Sequence, residues 1–429
     1  MTVNSAFTDS FPPGRQLPGP AASASAPVRA NALAWLLPKI GPRLRDPLRI
    51  VMPGQTPIDT GKLAEQTHLP TLRVHDRALF SRIARDGKLG LGESYQAGEW
   101  DADDLPDVLV ALANAADMIP APLWRVGRRL GTRRREHQPN TVRGATRNIR
   151  HHYDLSNELF ALFLDESMTY SSAVFAPGDT LKQAQARKRA LLLDDLDVGP
   201  GQHLLEIGTG WGALALDAAR RGCRVTTVTL SLEQAFATQR LIADAGLQDR
   251  VEVLVRDYRN IEGRYDAIVS VEMLEAVGSA WWPTYFARIS DLLSAGGRAS
   301  IQTITMTHEG WRAARGGYGW IHRYIFPGGE IPSLPALAAP VTEAGLQLVG
   351  RRDIGDSYVK TLQAWRDRFR RALPEVSTLG FDTTFERTWD FYLAYCEAGF
   401  RTGRIGVSQL LLSHSATPAS CRRDWKDAE

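Results

Sequence analysis

Between residues 200 and 306 the chain alternates short apolar, β-branched runs with segments whose apolar residues recur at helical spacing. This alternation is typical of a parallel sheet with helices on both faces, so the sequence predicts an α/β fold. Strands are predicted over His203–Ile207, Arg224–Leu230, Val251–Val255, Asp266–Val271 and Arg298–Met306, and helices over Ala213–Arg221, Leu232–Ala245 and Trp282–Leu293.

Residues 30–120 alternate apolar and polar stretches as a smaller folded N-terminal domain does. Within them, the glycines of Lys88–Trp100 predict tight turns beside aromatic packing. Asp103 and Asp104 precede the apolar stretch Leu105–Ala116, and acidic residues favour the start of a helix. A helix is therefore predicted over that stretch.

Apolar runs in this chain are too short for a membrane span, which needs roughly 18–20 residues. The best candidate, Ala30–Leu37, stops at Pro38. Residues 1–29 are rich in Ala, Ser and Pro and lack a basic start followed by an apolar core. We therefore expect a disordered tail there rather than a secretory signal, and a second tail over residues 413–429.

Composition narrows the class of protein. The 429 residues are 44% hydrophobic and 23% charged, which excludes collagen-like and wholly disordered chains. The formal charge of +3 argues against a dedicated nucleic-acid binder. Cys223, Cys396 and Cys421 are too few and too scattered for a disulfide framework or a cysteine zinc site, so no metal and a reducing cytoplasmic setting are expected.

Basic charge is nevertheless concentrated in residues 121–150, which contain nine arginines and only one acidic residue, Glu136. Such a run fits either a solvated linker between domains or a patch for an anionic surface. Trp124 is the only aromatic residue there that could stack on bases. The second interpretation therefore favours phospholipid head groups over single-stranded nucleic acid.

The segment Leu204–Gly212 runs from a predicted strand through a glycine-rich turn into a predicted helix. Glycines let the backbone approach a ligand closely. A nicotinamide site uses the spacing G-x-G-x-x-G and an acid at the end of the second strand. Here the spacing is G-x-G-x-G, Glu206 precedes it, and Val228–Ser231 ends the second strand without an acid. This pattern favours S-adenosylmethionine, which has no pyrophosphate to bind.

Further motifs follow the same order as in one enzyme family. They are His152–Asn157, Met168–Ser172, Leu204–Gly212, Val228–Ser231 with Gln234, Asp257–Arg259, Ser270–Gly278, Tyr324–Gly329 and Tyr392–Arg401. Through them the chain resembles the cyclopropane-fatty-acyl-phospholipid synthases and their mycolic-acid and methylene-fatty-acid relatives, which depend on S-adenosylmethionine. The likeness covers residues 88–104 and nearly all of 150–412.

The resemblance implies a Rossmann-like class I methyltransferase fold with a mostly parallel seven-stranded sheet. It assigns residues 151–412 to the catalytic domain, 30–120 to a lipid-associated N-terminal domain and 121–150 to a basic linker. His151 and His152 are interpreted as turn and capping residues. The residues that the resemblance assigns to S-adenosylmethionine are Tyr170, Ser171, Glu206, Gly208, Gly210, Gly212, Thr229, Leu230, Ser231, Gln234, Asp257 and Tyr258.

The resemblance also implies a bicarbonate ion beside the substrate, held by a Cys, a Glu, a His, a backbone group and a Tyr. Glu275, Ile304 and Tyr358 match this set, whereas Ser172 replaces the Cys and Gln302 replaces the His. Cys396 is a further catalytic candidate by residue type. Because the reaction has no covalent enzyme intermediate, a buried structural thiol is the favoured interpretation for it.

In this chemistry the cis double bond of an acyl chain attacks a sulfonium methyl group and becomes a carbocation. Aromatic faces stabilise such a cation, and a base must then remove a proton. We expect bicarbonate, oriented by Glu275, to be that base. Candidates for the aromatic faces are Tyr170, Tyr324, Phe326, Tyr358 and Phe400.

Several outcomes stay open from the sequence. Ring closure gives a cyclopropane, whereas a different proton loss gives an exocyclic methylene, a precursor of 10-methyl chains. The expected partners are an unsaturated phospholipid and an anionic bilayer at the inner membrane face, without nucleic acid, and a homodimer is possible. Alternatives are a methyltransferase for a small soluble acceptor and a cofactor-binding scaffold without activity.

Overall fold

The computed structural model describes residue 19 and residues 46–61, 69–117, 156–315 and 317–414. Apart from residue 19, the N-terminal tail lies outside the described residues, as do the stretch Ala30–Leu37, the basic segment 121–150 and the pair His151 and His152. The expected second tail starts too early at residue 413, because residues 413 and 414 end a strand, and its remainder lies outside the described residues. Among the described residues no helix has the length and apolar character that a membrane crossing requires.

In its described residues, the N-terminal part consists of a small mixed sheet and three helices. The strands lie in the order β2-β1-β3-β4, with β1 and β3 parallel and the outer pairs antiparallel. These elements are β1 (Leu48–Val51), β2 (Ile58–Thr60), β3 (Thr71–Val74), α1 (Ala78–Asp86), α2 (Lys88–Gln96), β4 (Trp100–Ala102) and α3 (Leu105–Asp117).

The larger part is a seven-stranded sheet in the order β10-β11-β9-β8-β5-β6-β7. The pairs from β9 to β7 are parallel, and β11 runs antiparallel to both of its neighbours. The strands are β5 (His203–Ile207), β6 (Arg224–Thr229), β7 (Val251–Val255), β8 (Tyr265–Val271), β9 (Leu293–Met306), β10 (Leu346–Asp353) and β11 (Ile405–His414).

Helices pack around this sheet. They are α4 (Asn157–Phe163), α5 (Leu181–Leu196), α6 (Ala213–Arg220), α7 (Leu232–Asp244), α8 (Leu274–Val277), α9 (Trp282–Leu292), α10 (His308–Ala314), α11 (Trp320–Tyr324), α12 (Leu334–Glu343), α13 (Gly355–Arg371), α14 (Leu373–Thr378) and α15 (Thr383–Arg401). They include the three that the alternating pattern predicts, at α6, α7 and α9. The predicted mostly parallel α/β fold is confirmed, with strand β9 starting five residues earlier than expected.

Strand β5 shows why both faces of the sheet are covered. Leu205 and Ile207 pack into one apolar cluster with Phe286 of α9, whereas Leu204 packs into another with Leu214 of α6. Successive side chains of a strand point to opposite faces, so an almost continuous apolar run buries both sides.

The segment Lys88–Trp100 differs in part from its prediction, because Lys88–Gln96 is a helix, whereas Gly98 lies in a turn with φ +71° as predicted. The two glycines of the helix provide close packing. A β-carbon at Gly90 would lie 2.1 Å from the carbonyl oxygen of Arg82, and one at Gly92 would lie 2.3 Å from the indole of Trp320. The prediction of turns at Gly90 and Gly92 is wrong because the sequence does not distinguish a glycine that allows close packing from a glycine that forms a turn.

Helix α2 fastens the N-terminal part onto the larger part. Gln96 donates to the Thr388 hydroxyl at 2.8 Å and accepts from Trp320 Nε1 at 3.1 Å. The Tyr95 hydroxyl donates to Asp390 at 3.0 Å. Apolar residues of both parts belong to one buried cluster, so the N-terminal part packs directly on α11 and α15.

The close contact at Gly92 has a measurable consequence. Gly92→Ala should lower the free energy of unfolding by about 1–3 kcal/mol, because the indole of Trp320 must shift to admit the methyl group. Gly199→Ala is the matched control, since a β-carbon there meets no atom within 4 Å. Denaturant unfolding of both variants checks this, and equal stabilities would contradict the packing role of Gly92.

Candidate active site

A cavity opens at the carboxyl ends of the parallel strands β5, β6 and β8, where α/β sheets usually bind their ligands. We call it the strand-edge cavity. It contains ten of the twelve residues that the resemblance assigns to S-adenosylmethionine. These are Tyr170, Ser171, Glu206, Gly208, Gly210, Thr229, Leu230, Gln234, Asp257 and Tyr258.

The two remaining residues do not line the cavity and have local structural roles. Gly212 stands at the start of α6 with φ +88°, and a β-carbon there would lie 2.6 Å from the Thr238 side chain. Ser231 caps α7, with its hydroxyl accepting from the Gln234 amide at 3.3 Å. Both stand beside cavity residues in sequence, which is why a motif includes them.

The glycine turn after β5 leaves room for a ligand. Gly208 and Gly210 have φ values of +99° and +52°, in the left-handed region that favours glycine. A β-carbon at Gly210 would meet no protein atom within 4 Å, although the residue lines the cavity. The turn therefore forms a cradle whose open side fits a ligand, as the G-x-G-x-G spacing predicts.

One end of the strand-edge cavity contains a buried ion pair between Asp257 and Arg259. Arg259 donates two hydrogen bonds to Asp257, at 2.8 and 2.6 Å, and its guanidinium lies 4.9 Å from the Trp281 ring centre. Beside it, the Thr229 hydroxyl donates to Gln234 at 2.9 Å. These contacts hold in place neutral and acidic groups that the resemblance assigns to S-adenosylmethionine.

Another part of the strand-edge cavity, next to Ser171, contains a buried lysine that was not predicted from the sequence. Lys188 Nζ donates to the Ser171 hydroxyl at 2.7 Å, and burial lowers the pKa of Lys188 to about 7. Burial raises the pKa of Glu206 to about 8, and Thr227 donates to its carboxylate at 2.6 Å. The helix contains many charged residues, and a lysine among them is expected to be exposed to solvent. No feature of the sequence therefore distinguishes Lys188 from its neighbours.

A second group of polar side chains adjoins the cavity around Glu272. Its carboxylate accepts from the Ser172 backbone amide at 2.8 Å, from Gln302 Nε2 at 2.9 Å and from the Tyr358 hydroxyl at 2.9 Å. We call these three residues the donor cluster. They are three of the five residues expected around a bicarbonate ion, and here they converge on a protein carboxylate instead.

The other two expected residues pair with each other. Glu275 accepts from the backbone amide of Ile304 and from the Thr303 hydroxyl through one oxygen. Its second oxygen is buried and has no hydrogen-bond partner among the described residues. The five residues therefore form two adjoining groups, centred on Glu272 and on Glu275.

Burial shifts the titration of this region toward neutral forms. Desolvation, reinforced by the neighbouring Glu272, raises the pKa of Glu275 to about 8. Desolvation also raises the pKa of Glu272, against the opposing effects of its donors and of Lys188. The pKa of the Cys396 thiol rises to about 12 by burial, so it stays protonated, as expected of a structural thiol.

Aromatic rings line up behind the donor cluster. We call Tyr170, Tyr358, Trp365, Tyr392 and Phe400 the aromatic cluster. Ring centres of Tyr358 and Phe400 are 4.5 Å apart, those of Tyr170 and Trp365 are 5.2 Å apart, and the hydroxyls of Tyr170 and Tyr392 are 2.8 Å apart. Three of the five predicted cation-facing residues thus lie together.

The other two predicted aromatic residues occupy different positions. Phe326 contacts the edge of the aromatic cluster, 6.1 Å from Tyr392 between ring centres. Tyr324 points to the N-terminal part, where its hydroxyl donates to the buried Glu93 at 2.9 Å. Tyr324 therefore serves the contact between the two parts of the chain.

Comparison with known proteins agrees with this geometry. Residues 140–410 match the family model described as mycolic acid cyclopropane synthetase. The chain is 44% identical to tuberculostearic acid methyltransferase UfaA1 of Mycobacterium tuberculosis, over 97% of this chain and 100% of that protein. It is 33% identical to the cyclopropane-fatty-acyl-phospholipid synthase of Escherichia coli K12, over 80% and 87% of the two chains.

A solved structure shows the same fold. Mycolic acid cyclopropane synthase CmaA1, complexed with SAH and CTAB, aligns with a TM-score of 0.59 and 31% identity, over 62% of this chain and 97% of that one. The sheet order and the glycine cradle thus define a class I methyltransferase that depends on S-adenosylmethionine. Within this class the chain belongs to the mycolic acid cyclopropane synthetase family.

The glycine cradle yields a prediction about cofactor binding. Gly210→Val should abolish S-adenosylmethionine binding, because its side chain would enter space that the protein leaves open in the cavity. Gly201→Val is the control, since Gly201 also has a positive φ and open surroundings but does not line the cavity. Calorimetry measures affinity and circular dichroism checks folding. Unchanged affinity in folded Gly210→Val would refute the assignment.

Proposed function

We propose that the enzyme transfers a one-carbon unit from S-adenosylmethionine to the cis double bond of an unsaturated phospholipid acyl chain. The observation that carries the proposal is the direct continuity between the strand-edge cavity and the aromatic cluster. Tyr170 lines the cavity and also belongs to the cluster, and Glu272 lines the cavity while bound to Tyr358.

The aromatic cluster suits an acyl chain that carries a transient positive charge. Trp365 is fully buried and Phe400 nearly so, which keeps water away. A cation over an aromatic face gains roughly 0.5–2 kcal/mol, and most where water is excluded. S-adenosylmethionine supplies an electrophilic methyl carbon, and this chain's residues orient the reactants and shield the cation.

The phospholipid substrate is supported by the Escherichia coli relative, whose name specifies that substrate class. The product is either a cyclopropane or an exocyclic methylene chain. The relative with 44% identity along the whole chain is named a methyltransferase rather than a cyclopropane synthase. That similarity favours the methylene product over ring closure.

A methyltransferase for a small soluble acceptor is the rival function. It requires neither the buried aromatic cluster beside the cavity nor the arginine-rich segment 121–150. The carboxyl groups of Glu272 and Glu275 lie next to the aromatic cluster, and this fits proton removal from a chain better than binding of a polar acceptor.

The lipid proposal predicts a defined product. Lipids from cells that express the chain should contain acyl chains heavier by one CH₂ than the unsaturated precursor. The two candidate products have the same mass, so proton NMR distinguishes ring protons from vinylidene protons. Cells that express Gly210→Val should lack the product. Purified enzyme that leaves phospholipid unchanged, with S-adenosylmethionine present, would contradict the proposal.

We propose further that the enzyme works on the inner face of the cytoplasmic membrane, held by residues 121–150. Each basic residue near an anionic bilayer contributes about 1 kcal/mol, and salt weakens the attraction. Changing arginines 133–135 to Gln should therefore reduce flotation with anionic vesicles at low salt. A control with Arg240, Arg370 and Arg371 changed to Gln carries the same net charge. Equal flotation of both variants with neutral and anionic vesicles would rule out this role.

A further inference from the structure

Glu272 holds an unusual position in the backbone. It follows strand β8 with φ +51°, in the left-handed region that side chains other than glycine rarely adopt. Its own amide donates to the Gln302 carbonyl at 2.7 Å, so the neighbouring strand maintains this conformation. Strain of this kind collects at functional sites, where the surrounding structure keeps a side chain in place.

The Glu272 side chain is fixed in orientation and is also accessible from the strand-edge cavity. Three donors from separate parts of the chain, Ser172, Gln302 and Tyr358, fix the carboxylate. Glu272 nevertheless keeps part of its surface open and lines the strand-edge cavity, whereas none of the donor cluster does. A proton acceptor needs this combination of fixed orientation and contact with the reacting groups.

The site around Glu272 offers few free groups that could bind an anion. The donors that would hold it are already engaged by Glu272, and all three are neutral groups. The carboxylate of Glu272 itself occupies this position. An added anion would therefore meet the like charge of Glu272 and donors that are already engaged.

Glu275 fits a supporting role better than that of the base. One of its oxygens is taken by Ile304 and Thr303, the other is buried, and Glu275 does not line the cavity. Negative charge is stabilised on Glu272 rather than on Glu275, because three hydrogen bonds converge on the Glu272 carboxylate, whereas one oxygen of Glu275 is buried without a partner among the described residues. Desolvation raises the pKa of Glu275 in the same sense, to about 8. Two carboxyls with separated roles are a common arrangement in proton transfer.

We propose that the Glu272 carboxylate is the base that takes the proton from the alkylated acyl chain, in the place where the resemblance implies a bicarbonate ion. In this step a C–H bond of the cationic chain breaks and its electron pair closes the ring or forms the methylene double bond. The proton passes to a carboxylate oxygen, so cation and carboxylate both become neutral. This role rests on the proposed alkylation of an acyl chain.

The first test needs no lipid. Carbon-13 NMR titration with labelled bicarbonate should show no bound ion in the wild-type protein. In Glu272→Gly, which relieves the positive φ and frees the donor cluster, one bicarbonate should bind. Glu262→Gln, a change at an exposed glutamate, should behave as the wild type. Bicarbonate bound near Tyr358 in the wild type would overturn the proposal.

The second test measures turnover on vesicles of unsaturated phospholipid, with S-adenosylmethionine affinity as the check on folding. Wild-type turnover should not change when bicarbonate is removed. Glu272→Gln should lose roughly 10²–10⁴-fold in turnover while keeping cofactor affinity, because a general base contributes about that much. Added bicarbonate should restore part of the activity of Glu272→Gly and none of that of Glu272→Gln.

The two proposals fail in different ways. Wild-type turnover that requires bicarbonate, or full activity in Glu272→Gln, overturns the base role and leaves lipid alkylation intact. Absence of any alkylated lipid from the wild type refutes the alkylation and the base role with it. The binding titration still decides then which group occupies the anion position.

Discussion

The convergence of three neutral donors on the single carboxylate of Glu272 is the interaction on which the active site depends. Ser172, Gln302 and Tyr358 come from a loop, a strand and a helix, and all three donate to Glu272. Removing a charged group from water is costly unless hydrogen bonds replace the lost solvation. These bonds therefore connect the loop, the sheet and helix α13 at the site, together with direct bonds of the loop to α13 and to the sheet.

This arrangement joins two regions of opposite character. On one side is the strand-edge cavity, with ionisable groups such as Lys188 and Glu206 and the open glycine turn. On the other is the aromatic cluster, which shares a continuous apolar core with the N-terminal part. Glu272 lies at their boundary, so a polar cofactor and an apolar chain can meet beside one carboxylate.

The N-terminal part supports the site from a distance. Helix α2 packs closely on α11 at Gly92 and on α1 at Gly90, and it contacts α15 through Tyr95 and Gln96. Helix α15 carries Tyr392 and Phe400 of the aromatic cluster. A shift at the α2 interface would therefore reach the acyl-chain side of the site before it reached the cofactor side.

The sequence alone determined the alternation of strands and helices, the glycine turn and the family, because these depend on local periodicity and on residues adjacent in the chain. Tertiary structure decided which carboxylate receives the donor cluster. Glu272 and Glu275 are three residues apart in one motif, and the sequence analysis chose Glu275 by resemblance. Two carboxyl groups close together often divide the roles in proton transfer, and this principle would have made Glu272 a candidate as well. Only the positive φ after β8 and the register of β9 place Glu272 against Gln302, since such distances are set by packing between strands rather than by order along the chain.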